Sequence, residues 1–269
     1  MPEFIFHVLT PTELSRARAE GAWSAPSLAS EGFVHCCFRH QLAGVLERYF
    51  RGAGELVVLE FEQRALGRVV VESPPGVAEG FPHVYGPLPL AAVRRALPMH
   101  ESATGHTLPH ELLADAAREA RELETLLAAY PWYEHPEGPR FCETHRDEAR
   151  TLGLWLFTPG RHAAFHRVRN GDELWVAQRG RVILHQLDAQ GVLSSAVLGL
   201  DPSAGERAVL SVPRDVWQAA ELAPGESFAT GANVCAPPFE FAHWELADVA
   251  ALAARWPQHR ALIERLARR

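Results

Sequence analysis

The sequence lacks most of the marks of a specialised class. No apolar run approaches the ~18 residues that a membrane-spanning helix needs. The opening stretch, MPEFIFHVLT, has no basic region followed by a long apolar run, so no signal peptide is expected. There is no basic stripe: lysine plus arginine number 26 against 33 acidic residues, and the net charge of −7 is spread along the chain. That balance argues against nucleic acid as a partner. Cysteine is scarce, and Cys36, Cys37, Cys142 and Cys235 show no CxxC spacing. Adjacent Cys36 and Cys37 are poorly placed to pair with each other, so a reduced, cytoplasmic setting is the simplest expectation. What the chain does have is 47% hydrophobic residues over 269 positions, enough to bury a core in one large domain or two small ones.

The first third reads as a compact α+β unit. Phe4–Leu9 is a short apolar strand carrying His7. Thr10 caps a helix with Pro11 in its first position, and Glu13 completes a capping box. Residues 39–50 have Leu42, Val45, Leu46 and Tyr49 on one helical stripe. Glu55–Phe61 and Arg68–Glu72 read as strands. The segment FPHVYGP, Phe81–Pro87, reads as a polar-aromatic turn, and Ala91–Ala96 as a short helix.

These landmarks resemble a bacterial family known as DUF952. The matching pieces are IFHV with His7, SLASEGFVHCCFRHQ (Ser27–Gln41), the LVVLEF strand and FPHVYGPLPLAAV (Phe81–Val93). The resemblance covers nearly all of residues 3–98 and implies a fold related to ADP-ribosyltransferases. It also implies that His7 occupies the place of a histidine that holds the ribose of NAD. The familiar catalytic glutamate pattern of those transferases is missing. His7, His35 and His83 are expected to line one cleft, with Tyr85 as a stacking residue and an NAD-like molecule as its ligand. The bland alternative is a set of histidines that only hydrogen-bond backbone carbonyls.

The expected organisation is residues 1–98 as the first domain, a polar linker at 99–108, and residues 109–269 as the second. Pro109–Tyr130 has Leu113, Ala116, Ala120, Leu123, Leu127 and Tyr130 at three-four spacing, the pattern of one long amphipathic helix. After Trp132 the chain becomes strand-rich, with turns every 8 to 12 residues, which suggests a sandwich or jelly-roll barrel. Two helices separated by Pro257 close the chain.

Within this region the stretch FHRVRNGDELWVAQRG (Phe165–Gly180) is the most informative. His166 and Val168 lie two apart and face one side of a strand. A turn at Asn170-Gly171-Asp172 follows, and Glu173, Trp175 and Ala177 share one face of the returning strand. His166 and Glu173 therefore converge inside a small barrel. With Gly160 ahead and Gly180 behind, the spacing resembles the first motif of the cupin superfamily, with Val168 in place of a second histidine. Six segments carry a closer resemblance to the cupin-5 family, DUF985, described as predicted sugar epimerases. They are HPEG (His135–Gly138), FCETHR (Phe141–Arg146), the FHR…DELW arch, LGLDPSAGE (Leu198–Glu206), VPRDVWQAA (Val212–Ala220) and FEFAHWELAD (Phe239–Asp248).

The resemblance implies an all-β double-stranded jelly roll with flanking helices. Its four metal-ligand slots fall on His166, Val168, Glu173 and Gln218. One has no donor and one is a neutral amide, so a divalent transition metal on His166, Glu173 and Gln218 stands beside a metal-free polar pocket. In the metal-free reading His166 is a general base and Glu173 orients it. Gln218 holds a substrate group, and Trp175 and Trp217 form a wall for a sugar ring. Glu137 and Glu143 flank the entrance. The functions expected are an isomerase or epimerase acting on a carbohydrate-like molecule, a binding-only sensor, or NAD and ADP-ribose handling by the first domain. The partners expected are a small-molecule ligand and a second copy of the chain, paired through the barrel.

Overall fold

The computed structural model describes residues 4–73, 79–102 and 105–268. The chain forms two units, Pro2–Arg121 and Glu122–Arg269. The boundary falls inside the helix His110–Ala129.

The N-terminal unit is built on a three-stranded antiparallel sheet with Leu56–Glu62 between Phe4–Leu9 and Val93–Met99. Leu56–Glu62 is apolar at nearly every position because both its faces are covered. Leu59 and Phe61 pack with Ile5 and Leu9 on one side, while Leu56 and Val58 pack with Phe6 and Val8 on the other. Glu60, fully buried in the same strand, is paired with Arg94 and Arg95. The helix Pro11–Glu20 starts at the Thr10–Glu13 capping box and stops at Gly21, whose φ of 77° is left-handed.

Three local expectations differ from the structure. Phe81–Val84 is a strand, set between Val69–Glu72 and Val34–His35. Pro82 has no N–H for the ladder, but its carbonyl accepts from Cys36 N at 3.0 Å. Val93–Met99 is a strand rather than a helix, because the edge of the Leu56–Glu62 strand takes it up. Within the stretch expected as a linker, Glu101–Ser102 pairs with Gly105–His106, and Glu101 accepts from the backbone N–H groups of Gly52 and Gly54. Residues 103–104 of that stretch lie outside the described residues. The helix His110–Ala129 buries Leu112, while Leu113 and Tyr130 are exposed. Its first half is held by Asp115 on Arg95 and Glu119 on Arg39, a polar stripe that hydrophobic spacing does not register.

The C-terminal unit is two facing sheets. The first runs Tyr133–Glu134, Arg140–Arg146, Thr151–Phe157, Ala229–Ala236, Asp172–Arg179, Val209–Val212. The second runs Leu193–Leu198, Val182–Leu187, Trp217–Leu222, His162–Val168, Trp244–Leu246. Strand alternation sends Trp155, Phe157 and Trp175 of the first sheet against Ala163, Leu184 and Ala220 of the second. The outer face of the second sheet carries Phe165, Leu187 and Ala219. It is covered by Leu252 of the helix Val249–Arg255 and Ile263 of the helix Arg260–Arg265. His162–Val168 is therefore buried on both faces, which is why HAAFHRV lacks a simple apolar-polar alternation.

Candidate functional site

His166, Val168 and Glu173 open onto one cavity of about 290 Å³ at the end of the barrel. The arch places them there as the spacing predicts. His166 Nδ1 lies 2.8 Å from the carbonyl of Ala164 and donates to it. That fixes the ring and turns Nε2 towards Glu137, whose Oε2 is 3.2 Å away. Glu137 comes from the HPEG turn, and its carbonyl accepts from Ala164 N at 2.9 Å, binding the turn to the His166 strand. Gly138 is required in this turn. Its φ is 134°, and a Cβ there would stand 2.1 Å from the carbonyl oxygen of His162.

Three ring nitrogens meet one carboxylate oxygen. His135 Nδ1 is 3.1 Å from Glu137 Oε2, and the Trp244 indole donates to the same atom at 3.3 Å. Burial alone would favour the neutral acid at Glu137. The charges of His166 and His135 outweigh it and hold the group down at about 2. The same pairing acts on His135: burial favours the neutral ring, but the Glu137 carboxylate prevails and its pKa is raised.

Glu173 sits in the same cavity with opposite behaviour. Burial raises its pKa, and the nearby Glu137 charge adds to the effect, while His166 and the amide bond from Gln218 oppose it. Gln218 Nε2 and Asn233 Nδ2 donate to its two oxygens. The Trp175 indole donates to Gln218 Oε1 at 2.9 Å, so the amide has one orientation and must present its N–H to Glu173. At the rim, Arg146 binds Glu143 through two nitrogens, at 3.0 and 2.7 Å, and donates to the carbonyl of Phe239 at 2.9 Å. The mouth is aromatic. His135 stacks on Phe241 at 5.6 Å, with Tyr133, Phe141 and Trp244 around it. Phe241 is 55% exposed and Tyr133 44%, so both offer ring surface to a ligand.

Of the barrel residues expected at the site, His166, Glu173 and Glu143 line the cavity. Three do not. Gln218 is fully buried behind Glu173 and touches the site only through it. Trp175 belongs to the inner core. Trp217 lies on the outer face, with the Arg167 guanidinium 4.5 Å over its ring. Glu137 is buried at the centre rather than flanking the entrance. His135 comes to the site from the HPEG turn, and Asn233, Phe241 and Trp244 from a stretch much later in the chain. Only the spacing of His135 and Glu137, two residues apart in HPEG, offered a local signal.

The residues do not fit the cupin ligand slots. Val168 has no donor, the carbonyl oxygen of Gln218 is taken by Trp175, and both oxygens of Glu173 already accept amide N–H groups. Among the described residues, no three His, Cys, Asp or Glu side chains are grouped to hold a metal ion.

In the N-terminal unit His7 is satisfied internally. Its Nδ1 donates to the carbonyl of His35 at 2.8 Å, and its Nε2 accepts from the Trp23 indole at 2.8 Å. It therefore has no ring nitrogen left for a ligand. His35, His83 and Tyr85 gather around Phe33 instead.

Residues 8–96 match the family described as protein of unknown function DUF952, and residues 124–247 match the cupin superfamily family DUF985. No curated protein matches. Among solved structures, a protein of Shewanella oneidensis is 28% identical, with 51% of this chain and 91% of that one covered and a TM-score of 0.49. A hypothetical protein of Leishmania major is 24% identical, with 51% and 94% covered and a TM-score of 0.48. A protein of Caulobacter crescentus, in its solution structure, is 30% identical, with 40% and 91% covered and a TM-score of 0.35.

Proposed function

The chain joins a DUF952 segment at residues 8–96 to a cupin-superfamily segment at 124–247, and we propose that the cupin cavity performs acid–base chemistry on a small carbohydrate-like molecule, as an isomerase or epimerase does. One observation carries this reading. Two buried carboxylates share the cavity, and their surroundings drive their proton affinities apart. Moving a proton beside a carbonyl needs an acceptor for the proton and a donor for the oxygen on which charge develops. The ionised Glu137, held in place by its contact with His166, is the acceptor. Glu173, which keeps its proton more firmly, is the donor. Glu173 is thus not the group that orients His166; Ala164 and Glu137 do that.

The charge of the site narrows the substrate. Glu137, Glu143, Glu173 and Glu240 line the cavity, and its one arginine, Arg146, is engaged by Glu143. An anionic substrate is repelled, whereas an uncharged sugar can use the carboxyl groups and stack on Phe241 and Tyr133. The chain contains no lysine, so amine-based covalent catalysis has no residue to use. The test is incubation of unphosphorylated aldoses and ketoses with the protein in deuterated water, read by mass spectrometry. The native protein is expected to exchange a carbon-bound proton and Glu137→Gln to lose the exchange. Binding without exchange for every sugar would support the sensor reading, which the two amide bonds fixing Glu173 favour. For the N-terminal unit, the ADP-ribosyltransferase-like fold is proposed on the DUF952 resemblance, without His7 in its site.

A further inference from the structure

The N-terminal unit holds a second cluster that the barrel chemistry does not use. Antiparallel pairing sets His35 opposite His83, and the next strand brings Glu72 alongside. Phe33 stacks on His83 with ring centres 4.1 Å apart and planes 16° apart. The His35 ring meets His83 edge-on at 5.1 Å. Glu72 Oε2 accepts from His83 Nδ1 at 2.8 Å and from the Tyr85 hydroxyl at 2.9 Å. These two bonds, His83 first, hold the Glu72 carboxyl below its usual range.

An ionised carboxylate only accepts, so the proton of His83 sits on Nδ1 and the lone pair on Nε2. Nε2 has no protein partner among the described residues. A carboxylate on one ring nitrogen fixes the tautomer and stabilises the imidazolium that forms when the other takes a proton. Two further groups complete the cluster. Phe33 is only partly buried, with His83 over one face, so part of the ring remains open. Arg68 is exposed, lies 4.5 Å over the Tyr85 ring, and has no carboxylate ion pair among the described residues.

We propose that this cluster is a second site, independent of the barrel, in which His83 Nε2 accepts a hydrogen bond from a hydroxyl of a ligand carrying a planar ring and an anionic group. Each part of that ligand answers to one group. The ring lies on Phe33, as aromatic platforms hold nucleobases, the anion meets Arg68, and the hydroxyl reaches His83 Nε2. The hydroxyl donates a hydrogen bond to the Nε2 lone pair, and the Glu72 carboxylate on Nδ1 keeps that lone pair available to the ligand. Glu72 is the positioning residue. A nucleoside monophosphate has all three parts.

Calorimetry on the full chain with adenosine monophosphate, adenosine and ribose 5-phosphate tests the proposal. Adenosine monophosphate is expected to bind, and removal of either its base or its phosphate to weaken binding about tenfold or more. Phe33→Ala and Arg68→Ala should weaken adenosine monophosphate by a similar factor. Nitrogen NMR of the histidine rings reads the positioning role. His83 should carry its proton on Nδ1 in the native protein and in Glu72→Gln, whose side-chain oxygen still accepts, but shift it towards Nε2 in Glu72→Ala. Three results would overturn the proposal. They are no heat with any of the three compounds, binding that survives both Phe33→Ala and Arg68→Ala, and a native His83 protonated on Nε2.

Discussion

Glu137 and Glu173 have the same side chain and opposite roles, and what surrounds each carboxyl decides which is which. Glu137 lies between two imidazoles and an indole, and its pKa falls from an ordinary 4.5 to about 2. A depressed carboxylate stabilises the fold above its unfolded value, and that contribution is lost as pH falls through the folded one. The shift corresponds to roughly 3 kcal/mol, counted once for the Glu137–histidine group. Glu137→Gln is therefore expected to lower stability by about that amount at pH 7, with the gap to the native protein narrowing as pH drops from 5 towards 2; denaturant midpoints across pH check it. Glu173 has the reverse sign. Its raised pKa gives stability that is present at low pH and lost as pH rises through the folded value. Glu173→Gln should remove that loss, so its melting temperature should gain on that of the native protein as pH rises above the ordinary carboxylate range. Gly153 makes a steric demand. A Cβ there would stand 1.9 Å from the Phe141 ring on the neighbouring strand. Gly153→Ala should cost about 1–3 kcal/mol and push the ring into the cavity, visible as lost stability together with weakened ligand binding.

At the scale of elements, the arch from His162–Val168 to Asp172–Arg179 was legible because its chemistry is local. Two-residue alternation sets His166 and Val168 on one face and Glu173 and Trp175 on the next, and the turn between them is short. The same locality made the Thr10–Glu13 capping box readable. What escaped was everything settled by pairing across the chain. Two strands, Arg140–Arg146 and Thr151–Phe157, separate Glu137 from the strand of His166, and the Ala164–Glu137 backbone bond ties the HPEG turn to that strand. Trp175 and Trp217 looked alike in sequence, yet the strand register sends one to the inner core and the other outward beneath Arg167. Phe81–Val84 was hidden by Pro82, which argues against a strand until a neighbour uses its carbonyl. Glu60 shows how an element tolerates a charge in its middle, since Arg94 and Arg95 on the adjoining strand neutralise it. Removing the acid leaves two partly exposed cations rather than a buried one. Glu60→Ala is thus expected to cost about 2–3 kcal/mol, near the loss of charged hydrogen bonds, as measured by chemical unfolding.

On the scale of the whole molecule, two units carry two unlike clusters, one acidic and lined with aromatic rings, the other a histidine–glutamate pair with an arginine over Tyr85. The barrel has the cupin arch, but of its four ligand slots one holds an apolar side chain, Val168, and one an amide, Gln218, whose oxygen is taken by Trp175 and whose N–H serves Glu173. The purified protein is accordingly expected to retain substoichiometric transition metal; elemental analysis showing one tightly held ion per chain would contradict that. The central claim is that two carboxyl groups in one cavity differ in proton affinity, Glu137 holding its proton less firmly and Glu173 more firmly than an ordinary carboxyl. Carbon NMR of the side-chain carboxyls, assigned with Glu137→Gln and Glu173→Gln, measures this directly. The account predicts Glu137 ionised down to about pH 2 and Glu173 titrating above the usual carboxylate range. Two carboxyls that titrate together near the ordinary value would contradict it.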